Sequence, residues 1–185
     1  MALLGLVSNL VGIGAVVVWN RVLRSVERRT LNICLFALQA LTYSSWALAT
    51  PAEPQWVFVL RAFMIGALGA GGVLVTMAML ADTIEYDRLT TGQRREGLFV
   101  GAFELMQTTS FVLAPLLVGL AFSAAGMVPG EAGRGAQPES ALQVMRYAVS
   151  LVPACCSLAG IALMLVYRLD APTLARLRAA EAPPA

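Results

Sequence analysis

One carboxylate stands alone inside a long apolar stretch of this sequence. Glu104 interrupts the otherwise uncharged residues 97–123, and in a helix it would lie about 12 Å beyond Glu96. A charged side chain near the middle of a bilayer costs about 2.5–3.5 kcal/mol even on the lenient insertion scale, so such residues normally face a cavity or a partner. Gln107 and Thr108 share its helix face. The pattern favours an ion or substrate path, with a protonated or paired structural carboxyl as the alternative.

A second group of reactive side chains lies between two apolar stretches. Residues 81–97 carry both signs of charge, and a helix continuing past Ala81 would place their acidic residues on one face. The segment is either a solvated loop with surface ion pairs worth less than about 1 kcal/mol each, or a cytoplasmic gate whose ion pairs form in one transport state and break in the other. The gate candidates are Asp82, Glu85, Tyr86, Arg94, Arg95 and Glu96.

Two further apolar stretches carry polar side chains. Gln39, Tyr43 and Trp46 follow helical spacing, so they form one stripe that is suited either to a sugar ring or to packing and interface anchoring. Asn9 is either a ligand group or an interhelical hydrogen-bonding group.

The composition shows which elements must position these residues. Hydrophobic residues make up 58% of the chain and charged residues 13%, with a mean hydropathy of +0.74, and each membrane helix needs about 20 apolar residues. We therefore predict an all-α integral membrane protein whose helical bundle occupies residues 1–170, followed by a cytoplasmic tail, 171–185. The five predicted transmembrane helices are 2–19, 31–49, 55–81, 97–123 and 144–167.

The basic residues predict an orientation. All thirteen are arginine, and ten of them follow the first, third and fifth predicted helices. The positive-inside rule then places the N-terminus outside and the C-terminus in the cytoplasm of a multi-pass inner membrane protein. An outside N-terminus that starts directly on a helix suggests that a further segment preceded Met1.

Several functional classes are not expected. The chain has no histidine, which excludes the histidine-based zinc motifs and triads, and no lysine-rich patch indicates nucleic acid. Glycines such as Gly66, Gly69, Gly71 and Gly72 lack a phosphate-binding pattern and favour close helix packing. We expect neither an enzyme nor a bound cofactor.

Ordered short motifs resemble a known transporter family. Ala-Asp-(x)2-Glu-Tyr begins at Ala81, Thr-Gly-x-Arg-x-Glu-Gly follows at Thr91, and later come Gly-Met-Val-Pro at Gly126, Gln-(x)3-Ala-Leu at Gln137, Val-Pro-Ala at Val152 and Tyr-Arg-Leu at Tyr167. Their order resembles the glycoside-pentoside-hexuronide:cation symporters, the melibiose-permease-like branch of the major facilitator superfamily. Residues 19–30 also resemble the basic connection between two helices of a facilitator half.

The resemblance implies a fold and a function. The five predicted helices would match helices eight to twelve of a twelve-helix facilitator, whose halves are related by an axis along the membrane normal. It implies cation-coupled symport of a sugar or glycoside with Na⁺ or H⁺, and an N-terminal half as partner. Thr108 stands where the family usually has a lysine.

Two interpretations of the whole chain stay open. The chain is either a transporter half that works with an N-terminal half, or a noncatalytic membrane protein, such as a truncated product or an assembly partner. A reading frame for six or seven further membrane helices upstream of Met1 would favour the first interpretation.

Overall fold

The computed structural model describes residues 2–50, 53–126, 139–167, 169 and 171–181. Every regular element within these ranges is helical, which confirms the predicted all-α class. A short 3₁₀ turn, Trp46–Leu48, extends the second helix. The α-helices are α1 Ala2–Leu23, α2 Arg28–Ser45, α3 Gln55–Thr91, α4 Glu96–Ala124, α5 Glu139–Val166 and α6 Ala171–Glu181.

Four helical segments of the described chain are long and apolar enough to cross a membrane. They comprise α2 with its 3₁₀ turn, α3, α4, and residues Leu142–Val166 of α5. The apolar part of α1, Asn9–Leu23, is shorter. Many large apolar side chains are exposed on these helices, as expected for side chains that face lipid. The chain is therefore an integral membrane protein, and α1 as a fifth crossing stays a prediction.

The central helix of the bundle is α3, and small residues bring α1 close to it. A Cβ atom on Gly12 would lie 3.6 Å from the Gly66 carbonyl oxygen, and one on Gly71 would lie 2.7 Å from the Trp19 ring. The Trp19 indole nitrogen donates a hydrogen bond to the Ala67 carbonyl at 2.7 Å. Two of the four glycines singled out in the sequence therefore lie where α1 meets α3, because a larger residue there would push the helices apart.

The second major contact joins α2 to α5 as well as to α3. A Cβ on Gly160 of α5 would lie 2.9 Å from the Phe36 ring of α2, so Phe36 packs directly against the α5 backbone. The buried apolar cluster draws its members from α2 and α3 alone: Leu31, Leu35, Leu68, Val75 and Met79.

The apolar part of α3 ends near Ala81, but the helix continues to Thr91. Gly92 ends it with φ 69°, a left-handed conformation that glycine adopts without a steric penalty. Helix α6 packs against α3 with Leu174 buried. The charged segment that follows the third predicted membrane helix is therefore mainly helical, and α6 packs against the helix that contains it.

Helix α4 differs from the rest of the bundle. All its residues are described, and none of them is buried. It forms only small contacts with α3 and α5. Residues 127–138, between α4 and α5, lie outside the described residues.

Candidate functional site

A cavity of about 290 Å³ lies between α2, α3 and α4, and we call it the amide cavity. Its volume is near the lower end of the range for small-molecule pockets. Its lining combines three amide side chains and one hydroxyl group with two aromatic rings. The polar residues are Asn32, Gln39, Thr76 and Gln107, and the aromatic ones are Phe36 and Phe103.

Helical spacing on α2 and small residues on α3 form this cavity. Asn32, Phe36 and Gln39 follow the i, i+4, i+7 pattern, so they project from one face of α2. Opposite them, Gly69 and Gly72 line the cavity from α3. A Cβ on Gly72 would lie 3.6 Å from the Gln39 amide nitrogen, whereas one on Gly69 would meet nothing within 4 Å. The glycines thus leave open the space that the amides face.

Asn32 is the most buried polar group of the amide cavity, at 3% exposure. Its amide nitrogen lies 3.4 Å from the Met79 sulfur and 3.5 Å from the Met164 sulfur. Thioether sulfur is a weak acceptor, so these contacts compete poorly with a ligand hydroxyl. The Asn32 amide is therefore suited to donate a hydrogen bond into the cavity.

The amide cavity contains only part of the set of residues that the sequence singles out. Gln39 and Gln107 line it. Tyr43 lies one turn beyond Gln39 and is partly buried, whereas Asn9 on α1 is exposed.

Glu104 and Thr108 are also exposed on α4. Gln107, three residues after Glu104, lines the amide cavity. At about 100° of rotation per residue, the Glu104 side chain projects about 60° around α4 from that of Gln107. The Glu104 carboxylate forms no hydrogen bond or ion pair with any residue that the structure describes. An unpaired carboxylate at this position in an apolar helix calls for a water-filled cavity or a partner.

Arg61 is a buried arginine of α3 that is paired near the start of that helix. Its guanidinium nitrogens lie 2.7 and 3.3 Å from the two carboxylate oxygens of Glu53, and its Nε donates to the Ser45 hydroxyl at 3.1 Å. The same group lies 5.5 Å from the centre of the Trp46 ring, which itself contacts Phe58 edge to face at 5.1 Å. Glu53, and not Glu104, is therefore the carboxylate partner of Arg61.

The acidic residues at the end of α3 pair with other helices. Asp82 forms an ion pair with Arg28 of α2. The Arg28 Nη1 also donates a hydrogen bond to the Ala78 carbonyl at 3.2 Å. Glu85 pairs with Arg178 of α6, where Nε donates to a carboxylate oxygen at 2.8 Å. This hydrogen bond is the largest of the effects that raise the pKa of Arg178. The two pairs hold α2 and α6 against the extension of α3.

The other gate candidates do not join these pairs. Tyr86 is 39% exposed. Arg94 and Glu96 are also exposed, and Arg95 donates to the Gln93 side-chain oxygen at 3.0 Å. The structure therefore places these residues at one end of the molecule without joining them to Asp82 or Glu85.

Four of the polar and aromatic cavity residues are not singled out in the sequence: Asn32, Phe36, Thr76 and Phe103. Asn32 and Phe36 extend the Gln39–Tyr43 stripe backwards at helical spacing, so the same periodicity signal could have found them. Thr76 carries no such signal, because a threonine in an apolar helix is equally a packing residue. Among the described residues, no group of three or more cysteine, aspartate or glutamate side chains lies close enough to hold a metal ion.

Comparisons with known proteins give the family. Residues 1–171 match the family described as MFS/sugar transport protein. An uncharacterized symporter of Synechocystis is 35% identical over 123 residues, which are 65% of this chain and 22% of that protein. An uncharacterized 29.9 kDa protein of Pseudescherichia vulneris is 24% identical over 160 residues, which are 85% of this chain and 58% of that protein. The chain thus spans between about a fifth and three fifths of these relatives, and no solved structure matches it.

Proposed function

The chain belongs to the MFS/sugar transport protein family, and from this premise we propose that it forms the C-terminal half of a cation-coupled sugar symporter. In this proposal the N-terminal half is a separate partner, and neither half transports alone. Alternating access requires two bundles that rock around a shared central site, and in this proposal the described helices belong to one of them. A bound cofactor is not part of the proposal, and the coupling ion is Na⁺ or H⁺.

The amide cavity is the observation that carries this proposal. Amide and hydroxyl groups both donate and accept hydrogen bonds, which matches the hydroxyl groups of a sugar. Phe36 and Phe103 supply the apolar surface that most ligand pockets need. Gln39 and Gln107 approach from opposite helices, so a sugar between them would be held by α2 and α4 together.

Glu104 is the proposed cation-coupling group. It is the carboxylate nearest to the amide cavity along α4, and no described residue neutralises it. Protonation or Na⁺ binding would remove its charge, which lowers the cost of moving this part of α4 past a low-dielectric surface. In our proposal the exposed face of α4 with Glu104 and Thr108 turns toward the N-terminal half.

The charged end of α3 is the proposed cytoplasmic gate. Its Arg28–Asp82 and Glu85–Arg178 pairs lie within this half and hold α3 to α2 and α6. Tyr86, Arg94, Arg95 and Glu96 are exposed at the same end, where they are available to the other half. Breaking and forming ion pairs at such an interface is a known means of switching between two states.

The proposed orientation places this gate at the cytoplasmic surface of the inner membrane. Helix α4 then has one end at each surface. This orientation is supported by the arginines that cluster around the ends of α1, α3 and α6, because basic residues are enriched in cytoplasmic connections.

Uptake into proteoliposomes tests the proposal. The chain is reconstituted alone and with a co-expressed N-terminal half, and accumulation of a panel of labelled sugars and glycosides is measured under Na⁺ and proton gradients. We expect gradient-driven accumulation of at least one sugar with both halves and none with the chain alone. Accumulation by the chain alone would refute the need for a partner, and no accumulation of any sugar would refute the proposed substrate class.

Glu104→Gln tests the coupling step in the same vesicles. We expect the gradient to lose its effect, while exchange of the sugar down its own concentration difference continues. Thr109→Val is the control, because Thr109 is exposed on a different face of α4 from Glu104, and it should retain the gradient dependence. Unchanged gradient dependence in Glu104→Gln would remove Glu104 from the coupling site.

A further inference from the structure

A larger cavity lies at the charged end of the molecule, away from the amide cavity. It has a volume of about 640 Å³ and lies between the α1–α2 connection, the end of α3 and α6. Four guanidinium groups and two carboxylates line it. Because Arg178 also pairs with Glu85 just outside the lining, the local excess is one positive charge. We call it the arginine cavity after Arg24, Arg28, Arg29 and Arg178.

Three of these arginines are held in place by the fold. Arg28 pairs with Asp82, and Arg178 pairs with Glu85. Arg29 donates from Nε to the Met164 carbonyl at 3.0 Å and from Nη2 to the Leu165 carbonyl at 2.9 Å. These carbonyls belong to the last turn of α5, where backbone oxygens lack helical partners, so Arg29 is fixed at the cavity wall.

Arg24 differs from the other three arginines. It is exposed on the cavity wall, and its side chain forms none of the hydrogen bonds or ion pairs found among the described residues. Of the two carboxylates in the lining, Asp82 is already paired with Arg28, and Glu27 accepts a hydrogen bond from the Thr30 hydroxyl at 3.2 Å. Among the described residues, Arg24 and the fixed Arg29 are therefore the lining arginines that have no carboxylate partner.

The remaining wall is apolar. Leu23 and Val26 contribute from the α1–α2 connection, and Leu169 and Leu174 contribute from the segment around α6. A free inorganic anion needs no such surface, whereas the glycerol and first acyl carbons of a lipid do. The cavity also lies where the apolar part of α3 gives way to charged residues, which is the depth of the lipid headgroups.

We propose that the arginine cavity binds a phosphate group, with Arg24 as its free cationic partner and an anionic phospholipid as its source. Guanidinium groups bind phosphate oxygens through paired, charge-assisted hydrogen bonds. Such a ligand would link the α1–α2 connection to α6 and so brace the end of α3 that carries Asp82 and Glu85. The proposal depends on the membrane setting of the chain and not on which substrate is transported.

Native mass spectrometry of the full chain in non-ionic detergent tests this site. Equal amounts of phosphatidylglycerol and phosphatidylcholine are offered, and retained lipid is counted on the wild type, on Arg24→Gln and on Arg176→Gln. Arg176 lies on α6, is exposed and is absent from the cavity lining, so it is the matched control. We expect one retained phosphatidylglycerol on the wild type, about fivefold less on Arg24→Gln, and no loss on Arg176→Gln.

A second arm separates lipid from soluble phosphate. The unfolding temperature of each variant is measured with and without millimolar inorganic phosphate, and circular dichroism checks that Arg24→Gln retains its helices. Stabilisation by inorganic phosphate that is lost in Arg24→Gln, without selective lipid retention, would support the phosphate site with a soluble source. The proposal is overturned if wild type and Arg24→Gln behave alike in both arms, or if Arg176→Gln loses the ligand equally.

Discussion

Helices α3 and α4 are both long and apolar, yet they occupy opposite situations in the molecule. Helix α3 has buried residues along most of its length, from Arg61 to Met79, and contacts α1, α2 and α6. Helix α4 has no buried residue, although it carries Glu104, Gln107 and Thr108 near its middle. Apolarity alone therefore indicates a membrane helix, whereas burial shows which helix the bundle is built around.

The contrast has a functional meaning. A helix that faces only lipid has no use for a carboxylate in its middle, because the charge is costly there. Arg61, Asp82 and Glu85 of α3 form ion pairs, whereas Glu104 and Thr108 of α4 are exposed. In our account α3 is the scaffold of this half, and α4 forms a wall of the amide cavity and the contact surface for the other half.

The largest expected effect comes from enlarging a glycine where α1 meets α3. Gly71→Leu places carbon atoms where a Cβ alone would lie 2.7 Å from the Trp19 ring, and we expect a loss of about 3 kcal/mol in unfolding free energy. Gly101→Leu is the control on α4, where a Cβ meets nothing within 4 Å. Unfolding by sodium dodecyl sulfate, followed by circular dichroism, measures both. Equal effects would contradict the contrast between the two helices.

The next effect concerns the buried arginine of α3. Arg61→Gln removes the ion pair with Glu53 and the hydrogen bond to Ser45, and we expect a loss of about 2 kcal/mol, typical of hydrogen bonds to charged groups. Arg95→Gln before α4 removes only the contact with Gln93 and should change stability little. A double-mutant cycle with Glu53→Gln isolates the pair, and an interaction energy near zero would show that the pair does not stabilise this end.

A smaller effect is expected from a single hydrogen bond between α1 and α3. Trp19→Phe keeps an aromatic ring over Gly71 but removes the donor to the Ala67 carbonyl, which should cost about 1 kcal/mol. Trp56→Phe is the control, because Trp56 is 66% exposed in the first turn of α3. If the control loses as much stability in the same detergent titration, the Trp19 hydrogen bond is not what joins α1 to α3.

The sequence predicts the helices better than their ends and neighbours. Continuous apolar stretches suffice to locate the membrane helices, because bilayer thickness dictates their length. The extension of α3 to Thr91 is harder to see, since a helix rich in Asp and Arg reads like a loop. Asp82 and Glu85 in this extension pair with Arg28 and Arg178. Arg178 lies 93 residues from Glu85 in the chain, a separation over which local pattern carries no information.

The amide cavity is partly predictable from the sequence. Gln39 and Gln107 are polar residues inside apolar stretches, which is a visible signal. Their meeting across α2 and α4 depends on packing around the glycines of α3, and periodicity within one helix does not report on that. Arg61 shows the reverse, since its carboxylate partner, Glu53, precedes the apolar stretch, and a pattern within that stretch does not indicate it.

The amide cavity as the sugar path is the central claim, and thiol protection tests it most directly. Gln107→Cys is introduced into a chain whose native cysteines, Cys34, Cys155 and Cys156, are changed to serine, and this chain is reconstituted with the N-terminal half. Reaction with a small water-soluble thiol reagent is timed with and without a transported sugar. Leu105→Cys, on the other side of α4, is the control. We predict that the sugar slows the reaction at Gln107→Cys severalfold and leaves Leu105→Cys unchanged, whereas equal rates at Gln107→Cys with and without sugar would contradict the account.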